Sequence, residues 1–153
     1  MGRLSRIEFA AGDAPPRGRL HRALRTDVPL RLVGVAAADA AAREHVYEVV
    51  REDGEPEGAG GAVLIWPFEV PADDDERFLA AWDRLHELLA PCQGRLGTRL
   101  HRSRGPANFR FVEITRWSSP LMYARALRQP EIDDAIAALP SPGRPALYLP
   151  ADV

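Results

Sequence analysis

No lysine occurs anywhere in the 153 residues; all 20 basic side chains are arginine. With the abundant alanine and proline this follows a GC-rich coding bias. It also puts a rigid planar fork at every basic position, a better partner for planar anions than an ammonium group. Cysteine is nearly missing: Cys92 stands alone, so no intrachain disulfide and no CxxC metal site can form, which suits a reducing compartment. Long apolar runs are absent as well. No hydrophobic core follows Met1-Gly2-Arg3-Leu4-Ser5-Arg6, so neither a secretion signal nor a membrane span is expected, and the expected location is the cytoplasm. The net charge of −2, with scattered arginines, gives no footprint for nucleic acid or a membrane surface. Four histidines without HxxxH or HxH spacing predict no metal site, and no glycine-rich loop after a strand predicts no nucleotide.

What is present is an ordinary globular composition, 46% hydrophobic and 27% charged. Glu52 to Gly61 is acidic and glycine-rich and reads as a linker, dividing the chain at residues 1–57 and 58–153. Beyond it, Val63–Val70 is β-prone, with Pro67 suggesting an edge or a bulge. Asp73-Asp74-Asp75 then open a helix, because carboxylates suit its unpaired first-turn N–H groups. Phe78, Trp82, Leu85 and Leu89 fall on one face of that helix, and Pro91 and Gly94 stop it. Two strands follow, about Arg95–Arg102 and Phe109–Trp117. Ser118 or Ser119 caps a second helix with Pro120 in its first turn, Glu131–Leu139 forms a third, and Ala146–Leu149 closes the sheet. The order β-α-β-β-α-α-β is the ferredoxin-like α+β pattern.

The first 57 residues echo this domain. Leu20-His21-Arg22 matches Leu100-His101-Arg102, and Leu30-Arg31-Leu32-Val33 parallels Phe109-Arg110-Phe111-Val112. With His45–Val50 as a closing strand, they read as a truncated repeat. Its opening strand and first helix are missing, and a weakly ordered tail ends at Asp13-Ala14-Pro15-Pro16. Such a fragment cannot cover its own sheet and must pack on the complete copy or on a second chain. Val112 and Ile114 also need cover, so a homodimer extended by the fragment is expected.

Four stretches of the complete copy resemble the antibiotic biosynthesis monooxygenase family over about 90 residues: Leu64-Ile65-Trp66-Pro67-Phe68-Glu69-Val70-Pro71, Phe78-Leu79-Ala80-Ala81-Trp82, Leu100-His101-Arg102 and Phe111-Val112-Glu113-Ile114-Thr115-Arg116-Trp117. The resemblance implies a dimeric α+β barrel. It also implies oxygenation of polycyclic phenols or anthrones, as in polyketide antibiotic biosynthesis, using dioxygen and no cofactor. Other members degrade haem, cyclise or isomerise small molecules, or have no known activity.

It further implies a set of site residues. Trp117 matches a pocket tryptophan of the anthrone oxygenases and Tyr123 a pocket tyrosine, while His101 falls near a pocket histidine. Glu113 stands where those enzymes carry asparagine. A carboxylate cannot donate to an oxyanion unless protonated. Among aromatics it could instead have a raised pKa and act as base or proton shuttle, for an oxygenase or for a cyclase or isomerase. The competing reading is an ion pair with a neighbouring arginine. His101 has a structural alternative, because His21 repeats it in a copy with Gly34 in place of Glu113. Strand alternation puts Phe109, Phe111, Glu113, Thr115 and Trp117 on one face. With Trp66, Phe68 and Trp82 the aromatics form candidate substrate walls, although Trp82 also fits the apolar stripe as core and has His86 one turn on. Trp66 replaces a first-strand asparagine, which argues against haem degradation. A non-catalytic ligand-binding protein is the remaining alternative, expected to lack a pocket and to tie Glu113 to arginine.

Overall fold

The computed structural model describes residues 3–10, 19–23, 30, 32–38, 44–58, 60–105 and 107–150. Alternating apolar residues generate eight strands: β1 (Leu4–Ala10), β2 (Arg19–Ala23), β3 (Leu32–Ala37), β4 (Val46–Gly54), β5 (Ala62–Phe68), β6 (Arg95–Ser103), β7 (Phe111–Trp117) and β8 (Ala146–Pro150). Three helices interrupt the second half: α1 (Asp75–Leu89), led in by a 3-10 turn at Ala72–Asp74, α2 (Pro120–Leu127) and α3 (Pro130–Ala137). Ser119 caps α2 by accepting a hydrogen bond from the Met122 amide at 3.3 Å, with Pro120 in the first turn, as the sequence predicted.

The strands close into one antiparallel barrel in the order β1-β3-β2-β8-β5-β7-β6-β4. Each half contributes the same local order, β4-β1-β3-β2 and β8-β5-β7-β6. Their registers correspond too: His21 faces Val33 across β2 and β3, as His101 faces Val112 across β6 and β7. Two readings of the N-terminal half are corrected. An opening strand exists, since β1 pairs with both β3 and β4. The acidic stretch is not wholly a linker, because Glu52, Asp53 and Gly54 continue β4 alongside β6. Asp13 to Pro16 lies outside the described residues. Pro67 is neither at an edge nor in a bulge: β5 lies between β7 and β8. Its nitrogen faces the β8 side beyond the last paired residue, Ile65, so no ladder bond is lost.

Alternation along the strands creates two cores. Ile7, Phe9, Val33, Tyr47, Val63, Ile65, Phe109, Val112 and Tyr148 fill the barrel interior. Leu64, Trp66, Phe68, Leu100, Phe111 and Trp117 point outwards and are covered by Phe78, Trp82, Leu85 and Leu89 of α1 together with residues of α2 and α3. The interior face carrying Val112 and Ile114, whose exposure motivated the expected homodimer, is covered by strands of the same chain. Among the described residues no helix is long and apolar enough to cross a membrane.

Candidate functional site

Glu113 sits in the middle of β7 on the outward face, under α1, with no solvent exposure. Leaving a carboxylate there requires donors, and three side chains supply them. Trp82 Nε1 donates to Oε1 at 2.9 Å, His86 Nε2 lies 2.8 Å from the same oxygen, and Thr115 Oγ1 donates to Oε2 at 2.8 Å. Because the Thr115 proton is committed to Glu113, Thr115 must accept from Thr98 Oγ1 across β6 and β7. Trp82 and His86 are stacked, with ring centroids 3.8 Å apart, which fixes the imidazole plane. Burial pushes the Glu113 carboxyl up, but the His86 charge and the bonds from His86, Thr115 and Trp82 outweigh it, so its pKa lies below the ordinary value.

These contacts overturn two expectations. The upward pKa shift expected for Glu113 among aromatics is not what its surroundings give, and its partners are a tryptophan, a histidine and a threonine rather than an arginine. A neutral His86 that gives its Nε2–H to Glu113 has its free lone pair on Nδ1. His86 Nδ1 is buried and has no hydrogen-bond partner. His86 was visible in the sequence only as a polar break in the α1 apolar stripe. Its i, i+4 spacing from Trp82, opposite a carboxylate on an outward strand position, was the signal that could have singled it out.

A cleft of about 380 Å³ opens beside this pair, lined by Trp82, His86 and Thr98 and rimmed by Arg51, Glu52, Asp53, Asp83 and Glu87. Arg51 bridges its mouth from β4 to α1, bonding Asp83 at 2.9 and 3.1 Å. Trp117 and Tyr123 meet edge to face at 5.7 Å. The Tyr123 hydroxyl is pushed up to about 12 by burial and then by the Glu113 charge, so it remains a donor at neutral pH. Trp117 Nε1 is a second buried donor, without a partner.

The remaining sequence candidates separate by strand parity. His101 stands opposite Val112, not Glu113, and therefore points into the barrel; its Nδ1 donates to the Val112 carbonyl at 3.0 Å. Burial lowers its pKa to about 4, leaving a neutral structural imidazole away from the site. Phe109 precedes β7, so the alternation expected to align it with Phe111 does not reach it. It packs in the interior against Phe9 at 5.0 Å. Trp66, Phe68, Phe78 and Phe111 pack on one another with successive centroid distances of 4.9, 4.8 and 4.5 Å, a filled core rather than open substrate walls. The Trp66 indole is spent on the Pro142 carbonyl at 2.9 Å. The adjacent Gly143, at φ 62°, permits that approach, since a Cβ there would lie 2.4 Å from Trp66 Nε1. Of the predicted aromatic binders, Trp82 alone lines the cleft. Among the described residues no cluster of histidine, cysteine or carboxylate suited to a metal occurs.

A ferredoxin-like α+β barrel with helices on one outer face is the fold of solved monooxygenase-like proteins. A candidate monooxygenase from Shewanella loihica is 30% identical over 63% of this chain and all of its own, with a TM-score of 0.51. A ferredoxin-fold protein of Listeria monocytogenes related to antibiotic biosynthesis monooxygenases shares the fold at 14% identity and a TM-score of 0.63, over all of this chain and 97% of its own. SnoaB from Streptomyces nogalater, a cofactor-independent oxygenase, shares the fold at 24% identity and a TM-score of 0.54, over 62% of this chain and 97% of its own. The heme-degrading enzyme of Listeria monocytogenes matches both halves: 13% identity, 97% of this chain, 99% of its own, TM-score 0.64. No protein-family profile and no curated protein sequence matches the chain.

Proposed function

We propose that the protein is a cofactor-free oxygenase of a small electron-rich phenol or anthrone-like compound, in which His86 is the general base and Glu113 its positioning residue. The observation that carries this is the 2.8 Å contact between His86 Nε2 and the fully buried Glu113, with Nδ1 left without a hydrogen-bond partner; in a neutral imidazole held this way Nδ1 is the basic nitrogen. Nδ1 takes a proton from the substrate carbon or hydroxyl, and the imidazolium formed is stabilised by the carboxylate behind it. Trp117 and Tyr123, the sequence candidates for stabilising an oxyanion, are not among the residues that line this cleft. The carbanion passes one electron to dioxygen, and the radical and superoxide combine into a peroxide. The imidazolium returns its proton to that peroxide, which loses water to leave a carbonyl: one CH₂ and one O₂ give one C=O and one H₂O.

The cleft is at the lower end of the roughly 300–1,000 Å³ typical of ligand sites, which favours a compact substrate. His86 Nδ1 is buried, so substrate reaches it only if the cleft opens further, and the Arg51–Asp83 bridge on the rim is the contact suited to open. Haem suits these residues poorly. His86 Nε2 is engaged by Glu113, and a porphyrin's propionates would meet a rim of Glu52, Asp53, Asp83 and Glu87. The Thr98–Thr115–Glu113 chain, running from the cleft to the carboxylate, favours a second reading: a cyclase or isomerase that needs proton return but no oxygen. Anthrone turnover under ¹⁸O₂ separates the two. The oxygenase incorporates one labelled atom and stops under strict anaerobiosis; unlabelled product, or turnover without oxygen, refutes it in favour of proton transfer alone.

A further inference from the structure

At one end of the barrel interior, away from Glu113, a second cavity of about 140 Å³ is lined by Arg3, Arg99, Arg116, Glu57, Ser5 and His21 together with apolar residues including Val35 and Ile114. Strand parity produces it: Arg99 and Arg116 alternate with the outward residues Thr98, Leu100, Thr115 and Trp117, so both guanidinium groups turn inwards. Arg99 is matched by carboxylates, bonding Glu52 at 2.8 Å and Glu57 at 2.7 Å. Arg3 bonds Glu57 as well, at 3.1 Å. Arg116 is different. It is only 9% exposed, and among the described residues its hydrogen bond is from Nε to the Glu55 carbonyl at 3.0 Å, with no carboxylate of those residues paired to Nη1 or Nη2. Glycine at position 58 lets the backbone pass this guanidinium, because a Cβ there would lie 2.7 Å from Nη1.

A buried cation without a partner is costly, and one anion would complete the site. We propose that this cavity binds a compact monocarboxylate, whose two oxygens pair with the Nη1 and Nη2 fork of Arg116 while a short apolar tail lies against Val35, Val63 and Ile114. One uncompensated charge calls for a monoanion, the planar fork for a planar acceptor, and the aliphatic walls for a hydrocarbon tail. The site is distinct from the Glu113 cleft and does not depend on the reaction assigned there.

Calorimetric titration of the full chain tests it, with propionate as probe, propionamide as its neutral isostere and inorganic phosphate as the tetrahedral anion. Propionate is expected to bind one site saturably, propionamide not at all, and phosphate at least tenfold more weakly. Arg116→Gln should weaken propionate at least tenfold. Ala37→Leu, which narrows the cavity mouth and leaves every charge in place, should do the same and decides the matter if the arginine variant fails to fold. No saturable propionate binding, equal binding of propionamide, preference for phosphate, or undiminished binding in folded variants overturns the assignment.

Discussion

At the residue scale the account turns on which atom of the Glu113–His86 pair carries a mobile proton. For His86 to act as the base, the nitrogen facing Glu113 must be protonated and Nδ1 bare. Long-range ¹⁵N–¹H NMR of the imidazole reads the tautomer directly, and the opposite tautomer would remove the base. His101 gives an independent pH prediction. Its folded pKa, near 4, is below the ordinary 6.5, so below pH 6.5 the unfolded chain binds the proton more readily than the folded one. Its contribution is therefore intact above pH 6.5 and falls as pH drops towards 4, by about 3 kcal/mol in total. Denaturant unfolding at several pH values should show that loss in the wild type and a flatter profile in His101→Leu. Glu113, with its lowered folded pKa, adds a further loss at still lower pH.

At the element scale α1 both covers the outer core and carries Trp82 and His86, the proposed base. Leu85→Ala, at a fully buried α1 position, should cost about 2–5 kcal/mol, measured by chemical denaturation. Arg51→Gln should cost no more than about 1 kcal/mol, because the Arg51–Asp83 bridge is about 40% exposed on both sides. If that bridge gates the cleft, the same variant should change KM more than kcat; unchanged KM would show that substrate enters elsewhere. Most of these elements were legible in the sequence, since α1 follows from the spacing of Phe78, Trp82, Leu85 and Leu89 and the cap of α2 from Ser119 and Pro120. The roles within them were less so. His101 and Glu113 lie one strand apart with opposite parity, and relative register across the β6–β7 turn is a tertiary property. Phe109 was assigned to the wrong face because β7 begins at Phe111. His86 was noted one turn beyond Trp82 but given no role, because a histidine in an apolar stripe acquires meaning only from the strand packed beneath it.

At the scale of the whole molecule, β2 pairs with β8 and β4 with β6, so each half closes the barrel for the other. Removing residues 1–57 would expose Val63, Ile65, Val112 and Tyr148, all nearly or fully buried. A fragment of residues 58–153 should therefore self-associate, as light scattering would show; a well-folded monomeric fragment would contradict the shared interior core. The repeat was legible as Leu-His-Arg in both halves. β1 was not, because Leu4–Ala10 carries charges at Arg6 and Glu8 and gains its order from pairing with β3 and β4. Strand β7 and helix α1 together hold the buried Glu113 carboxylate behind the His86 imidazole. The decisive measurement is the rate of anthrone oxidation by wild type and by folded His86→Asn, with Glu113→Gln in parallel. A general base predicts wild-type turnover above autoxidation and a loss of about 10²–10⁴-fold in His86→Asn. Turnover in His86→Asn within a few-fold of wild type, with the fold verified, would contradict the account.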